Sequence, residues 1–195
     1  MSRNILILDG HPDPANDRLI HALAAAYREG AQASNHTVHV IRLADLTFPV
    51  LRSQADYDKG EPVDSVRRCQ DLMNWAEHVV ILYPLWLGSM PALLKALLEQ
   101  MLRPGFAFST LRLGKWPVKF LSGKSARIVI TMGMAAPMYR WYFRAHSLRS
   151  LQRNILKFVG FRSIRSTLIG NVADLSNARR MQWLENLRAL GRAAA

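Results

Sequence analysis

The sequence predicts an α/β fold in which helices cover both faces of a doubly wound, five-stranded parallel sheet. Three observations carry that expectation. Short apolar runs rich in β-branched residues recur along the 195-residue chain, helical patterns separate them, and the central runs are continuously apolar. Continuous rather than alternating hydrophobicity marks strands buried on both faces, as the middle of a parallel sheet requires. Strand and helix alternate five times, and right-handed crossovers then place helices on both sides.

The elements follow in order. Residues 4–8, 78–83 and 126–132 are the continuous runs and read as central strands. Residues 37–43 alternate, which suits a strand nearer an edge, and 163–169 supply the fifth strand. In 18–33, Leu19, Leu23 and Ala26 recur at helical spacing, and 64–77 and 91–102 behave alike. Further helices are expected at 139–157 and at 175–192, the latter after the capping oxygens of Asp174 and Ser176. Residues 103–125, with Pro104, Gly105, Gly114, Pro117 and Gly123, form a long irregular connection. No repeat or linker interrupts the chain, so residues 1–195 read as one domain.

Composition excludes several classes. Half the residues are hydrophobic and 21% are charged, a globular balance. No apolar run reaches the roughly 18 residues that span a bilayer, and the N-terminus lacks the pattern of a secretory signal. A single cysteine, Cys69, forbids an internal disulfide and reads as helix packing. A soluble, cytoplasmic protein is the expectation.

Charge is uneven. The formal net charge is +12, yet residues 1–99 carry more acids than cations. Between Glu99 and Asp174 there is no acid at all, against 13 cations. Such a block points to an anionic neighbour (a phosphorylated cofactor, a membrane surface or nucleic acid) or to a solvated basic face.

Two motifs are decoys. Gly123-Lys124-Ser125 imitates the end of a phosphate-binding P-loop, but Val118 stands where its first glycine belongs. His11 and Asp13 could begin a metal site, which leaves a metal-dependent hydrolase as the weakest alternative; no later H-x-x-H completes it. Neither G-x-G-x-x-G nor G-x-S-x-G occurs.

In open parallel sheets ligands bind beyond the carboxyl ends of the strands, where the strand order reverses. The flavodoxin-like order 2-1-3-4-5 puts that point between strands 1 and 3. Three loops then matter. The first runs from Gly10 to Arg18, where Asn16 could cap the helix, its free N–H groups could hold a phosphate and Arg18 could add charge. The second, Pro84-Leu85-Trp86-Leu87-Gly88-Ser89-Met90-Pro91, sets a tryptophan between prolines, fit to wall a flat ring or to fill core. In the third, Thr131 to Tyr139, Gly133 would let backbone approach a ligand and Tyr139 offers a hydroxyl.

These residues carry a resemblance. His11-Pro12, the stretch Pro84-Leu85-Trp86 to Pro91-Ala92-Leu93-Leu94-Lys95 with Phe106-Ala107-Phe108, and Thr131-x-Gly133 with Tyr139 resemble the flavodoxin-like NAD(P)H:quinone oxidoreductase family. The resemblance covers about residues 3–140. It implies a dimeric flavoenzyme that takes hydride from NAD(P)H onto FMN, alternatively FAD, and passes two electrons to a quinone-like acceptor by ping-pong exchange. By motif, His11, Asn16 and Arg18 would flank the flavin phosphate. Pro84, Leu85, Trp86 and Leu87 would border the ring system, and Thr131, Gly133 and Tyr139 would line its pyrimidine side, with Tyr139 as the catalytic donor. The chain departs from the family at Asn16-Asp17-Arg18 and at Met132 and Met134. His146 falls one place beyond the family's histidine and receives no role.

Partners follow from the expected helix 139–157. Trp141, Tyr142, Phe143, Leu148, Leu151 and Ile155 give it apolar bulk suited to a homodimer interface. Arg140, Arg144, Arg149 and Arg153 could form one basic stripe for weak adsorption to anionic membranes. A flavin-binding regulatory subunit of a membrane transporter is the alternative function. Nucleic acid is disfavoured, because the aromatics cluster at helical spacing rather than as a stacking platform.

Overall fold

The computed structural model describes residues 2–110 and 116–195. Five strands, β1 (Asn4–Asp9), β2 (Thr37–Arg42), β3 (His78–Pro84), β4 (Ser125–Thr131) and β5 (Ser163–Ile169), form one sheet in the order β2-β1-β3-β4-β5. Every pairing is parallel, with Asp9 beside Leu82 and Pro84 beside Thr131. The fold class, the strand order and the five strands are those the sequence predicts. No helix among the described residues is long and apolar enough to cross a membrane.

Alternation along each strand sorts two cores. Ile5, Ile7, Val80 and Leu82 face α1 (Leu19–Ala33) and the C-terminal helix Asn177–Arg192. Leu6, Leu8, Val79 and Ile81 face the other layer, built from α3 (Asp64–Trp75), α4 (Ala92–Met101) and the helices between β4 and β5. A short helix, α2 (Gln54–Lys59), precedes α3; its burial is slight and its apolar pattern too weak to read from sequence. Ser176 caps the C-terminal helix as predicted, accepting a hydrogen bond from the Arg179 N–H at 3.3 Å. Cys69 lies in the core, where burial pushes its thiol up to about 11. The lysine of the false P-loop is structural: Lys124 Nζ donates to the carbonyls of Asn74 and Ala76 at the end of α3.

The predicted helix 139–157 is broken. Its first part is α5 (Ala136–Trp141), after which Arg144 and Ala145 take φ of 50° and 46°. The chain then restarts as α6 (His146–Arg149), continues through a π-helical stretch (Ser150–Leu156) and ends in α7 (Lys157–Val159). Two left-handed residues redirect the axis, so Arg140 and Arg144 do not share a helix with Arg149 and Arg153. The four-arginine stripe therefore does not exist. Leu148 and Leu151 point into the core, which leaves only Trp141, Tyr142 and Phe143 of the expected interface group well exposed.

α1 and the C-terminal helix, α8, touch backbone to backbone at two glycines. A Cβ on Gly30 would stand 2.0 Å from the Arg188 carbonyl oxygen, and one on Gly191 2.2 Å from that of Tyr27. Gly30→Ala gains up to about 1 kcal/mol of intrinsic helix preference, but it must wedge the helices apart, at about 1–3 kcal/mol. Net destabilisation is the expected result in urea denaturation, and a more stable variant would show that the two helices can separate freely.

At the opposite edge from the β-strand C-termini, His78 is buried with Nδ1 2.7 Å from Ser125 Oγ. Burial first, then the charges of Arg3, Arg127 and Arg165 and the neighbouring His36, lowers its pKa to about 4. An unfolded histidine titrates near about 6.5. A depressed histidine contributes stability that is present above the unfolded value and lost as pH falls toward the folded one. Unfolding free energy should therefore drop by about 2 kcal/mol between about pH 6 and 4.5. Urea titrations across that range check it, and His78→Asn should flatten the slope.

Candidate functional site

The carboxyl ends of β1, β3 and β4 are neighbours in the sheet, so the three loops that leave them share one edge. The first loop is fixed by a buried charge. Asp9, the last residue of β1, places Oδ2 2.5 Å from His21 Nδ1 in the first turn of α1, with both side chains buried. The other ring nitrogen of His21 lies 2.9 Å from the Asp13 carbonyl oxygen. A carbonyl oxygen only accepts, so Nε2 is the donor to Asp13, and Nδ1 faces the carboxylate. His11 is different: its Nδ1 accepts the Asp13 N–H at 3.1 Å, which leaves the proton on Nε2. Burial, then the nearby His21, lowers the His11 pKa and so favours its neutral ring.

The structure gives the other residues of this loop different partners from those expected. Arg18 is turned to Asp13 at 2.7 Å and to Asp17 at 3.7 Å, so its charge is already compensated rather than held for a phosphate. Asn16 does not cap α1; Arg18 holds the N-cap position with no side-chain bond. Asn16 is exposed and lines a cavity of about 350 Å³ shared with Asp9, His21, Arg28 and Arg42. The two residues of the metal alternative also have partners of their own. His11 Nδ1 is occupied by the Asp13 N–H, and the Asp13 carboxylate by the Ala15 N–H and Arg18. No group of three His, Cys, Asp or Glu able to hold a metal occurs among the described residues.

The second loop is a tight turn. Trp86 and Ser89 exchange N–H···O bonds of 2.8 and 2.9 Å, with Leu87 and Gly88 between them at φ of 45° and 77°. Two left-handed central residues make the turn typical of two-residue hairpins. Pro84 is buried as the last residue of β3, and the Leu85 N–H donates to the Thr131 carbonyl at 2.7 Å. Only Trp86 and Leu87 of the four expected ring neighbours present their side chains outward, Trp86 being 48% exposed. The Trp86 ring meets that of His11 edge-on, with centroids 5.6 Å apart, so the first two loops touch.

In the third loop Thr131 is buried at the end of β4, and Gly133 is open: a Cβ there would meet nothing within 4 Å. Tyr139 has intramolecular partners that its motif does not foretell. Its side chain is buried, its hydroxyl lies 2.7 Å from Ser147 Oγ, and it accepts the Leu148 N–H at 3.1 Å. The hydroxyl thus caps the start of α6, where Ala145 at the N-cap has no side-chain oxygen to offer. His146 is exposed on the first turn of that helix.

What the three loops hold in common is backbone. Among the described residues, no intramolecular acceptor takes the N–H of Asn16, Asp17, Leu19, Leu87, Gly88, Gly133 or Met134. Free N–H groups at the start of a helix suit an anion, and those beside Trp86 and Gly133 suit the polar edge of a flat ring. Asp9 and His21, which shape the first loop, carry no local sequence motif. Their one signal is a buried strand that ends on a carboxylate.

The capping geometry makes a direct prediction. Tyr139→Phe should cost about 1–2 kcal/mol of stability by freeing the Leu148 N–H and Ser147. Urea denaturation checks it; a variant as stable as the parent would show that the hydroxyl contributes no cap.

Comparison with known proteins agrees with this architecture. The family model described as a flavodoxin-like fold, Flavodoxin_2, matches residues 3–190. A Haemophilus influenzae protein named an uncharacterized NAD(P)H oxidoreductase is 25% identical over 186 residues, covering 93% of this chain and 91% of its own. The solved NAD(P)H:quinone oxidoreductase of Methanothermobacter marburgensis superposes with a TM-score of 0.80 at 21% identity, covering all of both chains. An FMN-dependent NADH-azoreductase of Bacillus anthracis, solved with FMN, gives 0.74 at 18% identity, again over both whole chains. At these identities the two solved structures speak to the fold alone. With the family model spanning nearly the whole chain and an oxidoreductase relative matching most of it, the chain belongs to the flavodoxin-like NAD(P)H:quinone oxidoreductase family.

Proposed function

We propose that the protein is a flavin-dependent NAD(P)H oxidoreductase that delivers two electrons to a quinone-like acceptor, with FMN as its flavin and FAD as the alternative. The observation that carries this reading is the set of free backbone N–H groups on three adjacent loops, with the exposed Trp86 ring beside them. The residues present fit a flavin: N–H groups of Asn16, Asp17 and Leu19 for its phosphate, Trp86 as a wall, and the open Gly133 backbone for the ring edge. The quinone and azo-compound reductases of the same fold lend support through their names and, in one case, a bound FMN.

Bound flavin would supply the redox chemistry, taking a hydride from NAD(P)H and returning two electrons to an acceptor that leaves as its dihydro form. The chain supplies position and charge. Loop N–H groups aimed at the ring edge favour negative charge developing there. The neutral His11 brings an N–H beside Trp86 without adding a full charge. A single flavin face open in turn to NAD(P)H and to the acceptor would favour alternating, ping-pong use. Trp141, Tyr142 and Phe143, exposed at the end of α5 and just beyond it, are the apolar group we assign to a homodimer contact.

Purified protein should carry flavin absorbance or take up FMN on reconstitution, with mass spectrometry identifying the released chromophore. Trp86→Ala should weaken flavin retention by about 1–2 kcal/mol while the fold persists. Protein that is colourless and takes up neither FMN nor FAD would sink the proposal. Unchanged affinity in a folded Trp86→Ala variant would remove the ring from the wall.

A further inference from the structure

The amino ends of the strands frame a second hollow, at the other end of the sheet from the three loops. Its volume is about 540 Å³, inside the size range of small-molecule sites. Arg3, Glu77, His78, Ser125, Ser163 and Arg165 line it, with residues 193–195 across from them. β3 separates it from the crevice, its seven residues spanning roughly 20 Å at about 3.3 Å each. Register explains why these side chains meet. His78, Ser125 and Ser163 are paired across β3, β4 and β5, and two residues further on Arg127 is paired with Arg165. All five therefore stand on one face of the sheet.

Two features of this hollow are unfinished within the chain. The first is charge. Arg127 and Arg165 stand side by side on neighbouring strands, where like charges repel, and Arg3 adds a third guanidinium just before β1. Arg127, which is buried, donates to the Ala195 main-chain oxygen and to Thr167 Oγ1, and Arg3 donates to the Ala194 carbonyl at 3.2 Å. Among the described residues no Asp or Glu pairs with any of the three. The Glu77 carboxylate on the wall accepts the Asn4 N–H at 2.9 Å and has Lys124 as its own cationic neighbour. The second feature is the His78 ring, which is 2% exposed and whose Nε2 has no hydrogen-bond partner. Ser125 Oγ lies 2.7 Å from Nδ1 against 3.5 Å from the Glu77 carbonyl, so its proton goes to the ring and Nε2 is a donor without an acceptor. Buried donors are ordinarily partnered, because leaving one unpaired is costly.

We propose that this hollow binds a phosphate group, free or at the end of a small phosphomonoester, held by the Arg3 and Arg165 guanidiniums beside the His78 ring. Guanidinium forks bond phosphate oxygens in pairs, and two of them on one wall match a dianion better than a lone carboxylate. The exposed Ser163 hydroxyl, in the same row as His78, is a further donor. A water takes up about 30 Å³ of liquid volume, so a phosphate of five heavy atoms fills the hollow only in part. The remainder is room for the body of an ester. A nucleic-acid strand is disfavoured, because no exposed aromatic ring lines the wall for bases to stack on. The proposal stands independently of the flavin reading, since it uses none of the crevice residues.

The test is a titration of the full chain with inorganic phosphate and with ribose 5-phosphate, followed by NMR through the His78 ring resonances, which His78→Asn assigns. His11 and His21 report on the crevice in the same spectra, so a phosphate bound there is told apart from one bound here. The expected result is a saturable shift of the His78 ring that sodium chloride at equal ionic strength does not reproduce. Arg3→Gln with Arg165→Gln should weaken binding about tenfold or more. Arg165→Gln alone, at an exposed position that removes one of two facing like charges, keeps the test open if the pair fails to fold. Tighter binding of ribose 5-phosphate would support an ester as the ligand, and equal binding the free ion. A His78 ring unmoved by either compound, a shift that chloride reproduces, or undiminished affinity in the arginine variants would overturn the proposal.

Discussion

A carboxylate at the end of a strand buried on both faces has to be paired, and Asp9 is such a carboxylate. His21 meets it from the first turn of α1, and the same ring reaches the Asp13 carbonyl in between. Strand, loop and helix are thereby tied at three points by one side chain. Replacing a buried ion pair by apolar residues often costs little, so its value here is positional rather than a source of stability. It fixes the course of the first loop, and so where the N–H groups of Asn16, Asp17 and Leu19 are presented.

The rest of the scaffold can then be plain. Parallel strands with continuous apolar sequence need a layer on each face, and α1 with α8 supplies one of them through contacts close enough to require glycine at 30 and 191. Chemistry collects at the other end of the strands, because there the loops are free to vary. No buried side chain of the sheet interior is needed for the proposed reaction.

Much of this is legible in the sequence for identifiable reasons. β1, β3 and β4 announce themselves by runs such as Ile5-Leu6-Ile7-Leu8, and Ser176 announces a helix start. The positions of the three loops follow from strand order alone. The break after α5 is not legible: Arg144 and Ala145 are neither glycine nor asparagine, the residues that ordinarily mark left-handed turns. Its cause is long-range within the segment, a hydroxyl at 139 bonding at 147 and 148. Motif matching does not reveal the Tyr139 hydroxyl's partners, because position after β4 says where a side chain starts and not which way its hydroxyl turns. Arg18 departs from expectation for a related reason, since Asp13, five residues earlier, is as close a partner as any phosphate could be.

Leu87, Arg144 and Ala145, like Ala194 beyond α8, adopt left-handed φ without being glycine, at roughly 1–2 kcal/mol each. Such conformations persist only where the surroundings over-determine them. At Leu87 the surroundings are the paired bonds between Trp86 and Ser89; at Arg144 and Ala145 they are the cap that Tyr139 gives to α6. The Trp86 wall is consequently set by backbone pairing and by the edge contact with His11, before any ligand arrives. A wall built in advance lowers the ordering cost of binding a flat ring. A turn set in this way would serve the proposed flavin and its two transient partners without being reshaped for each.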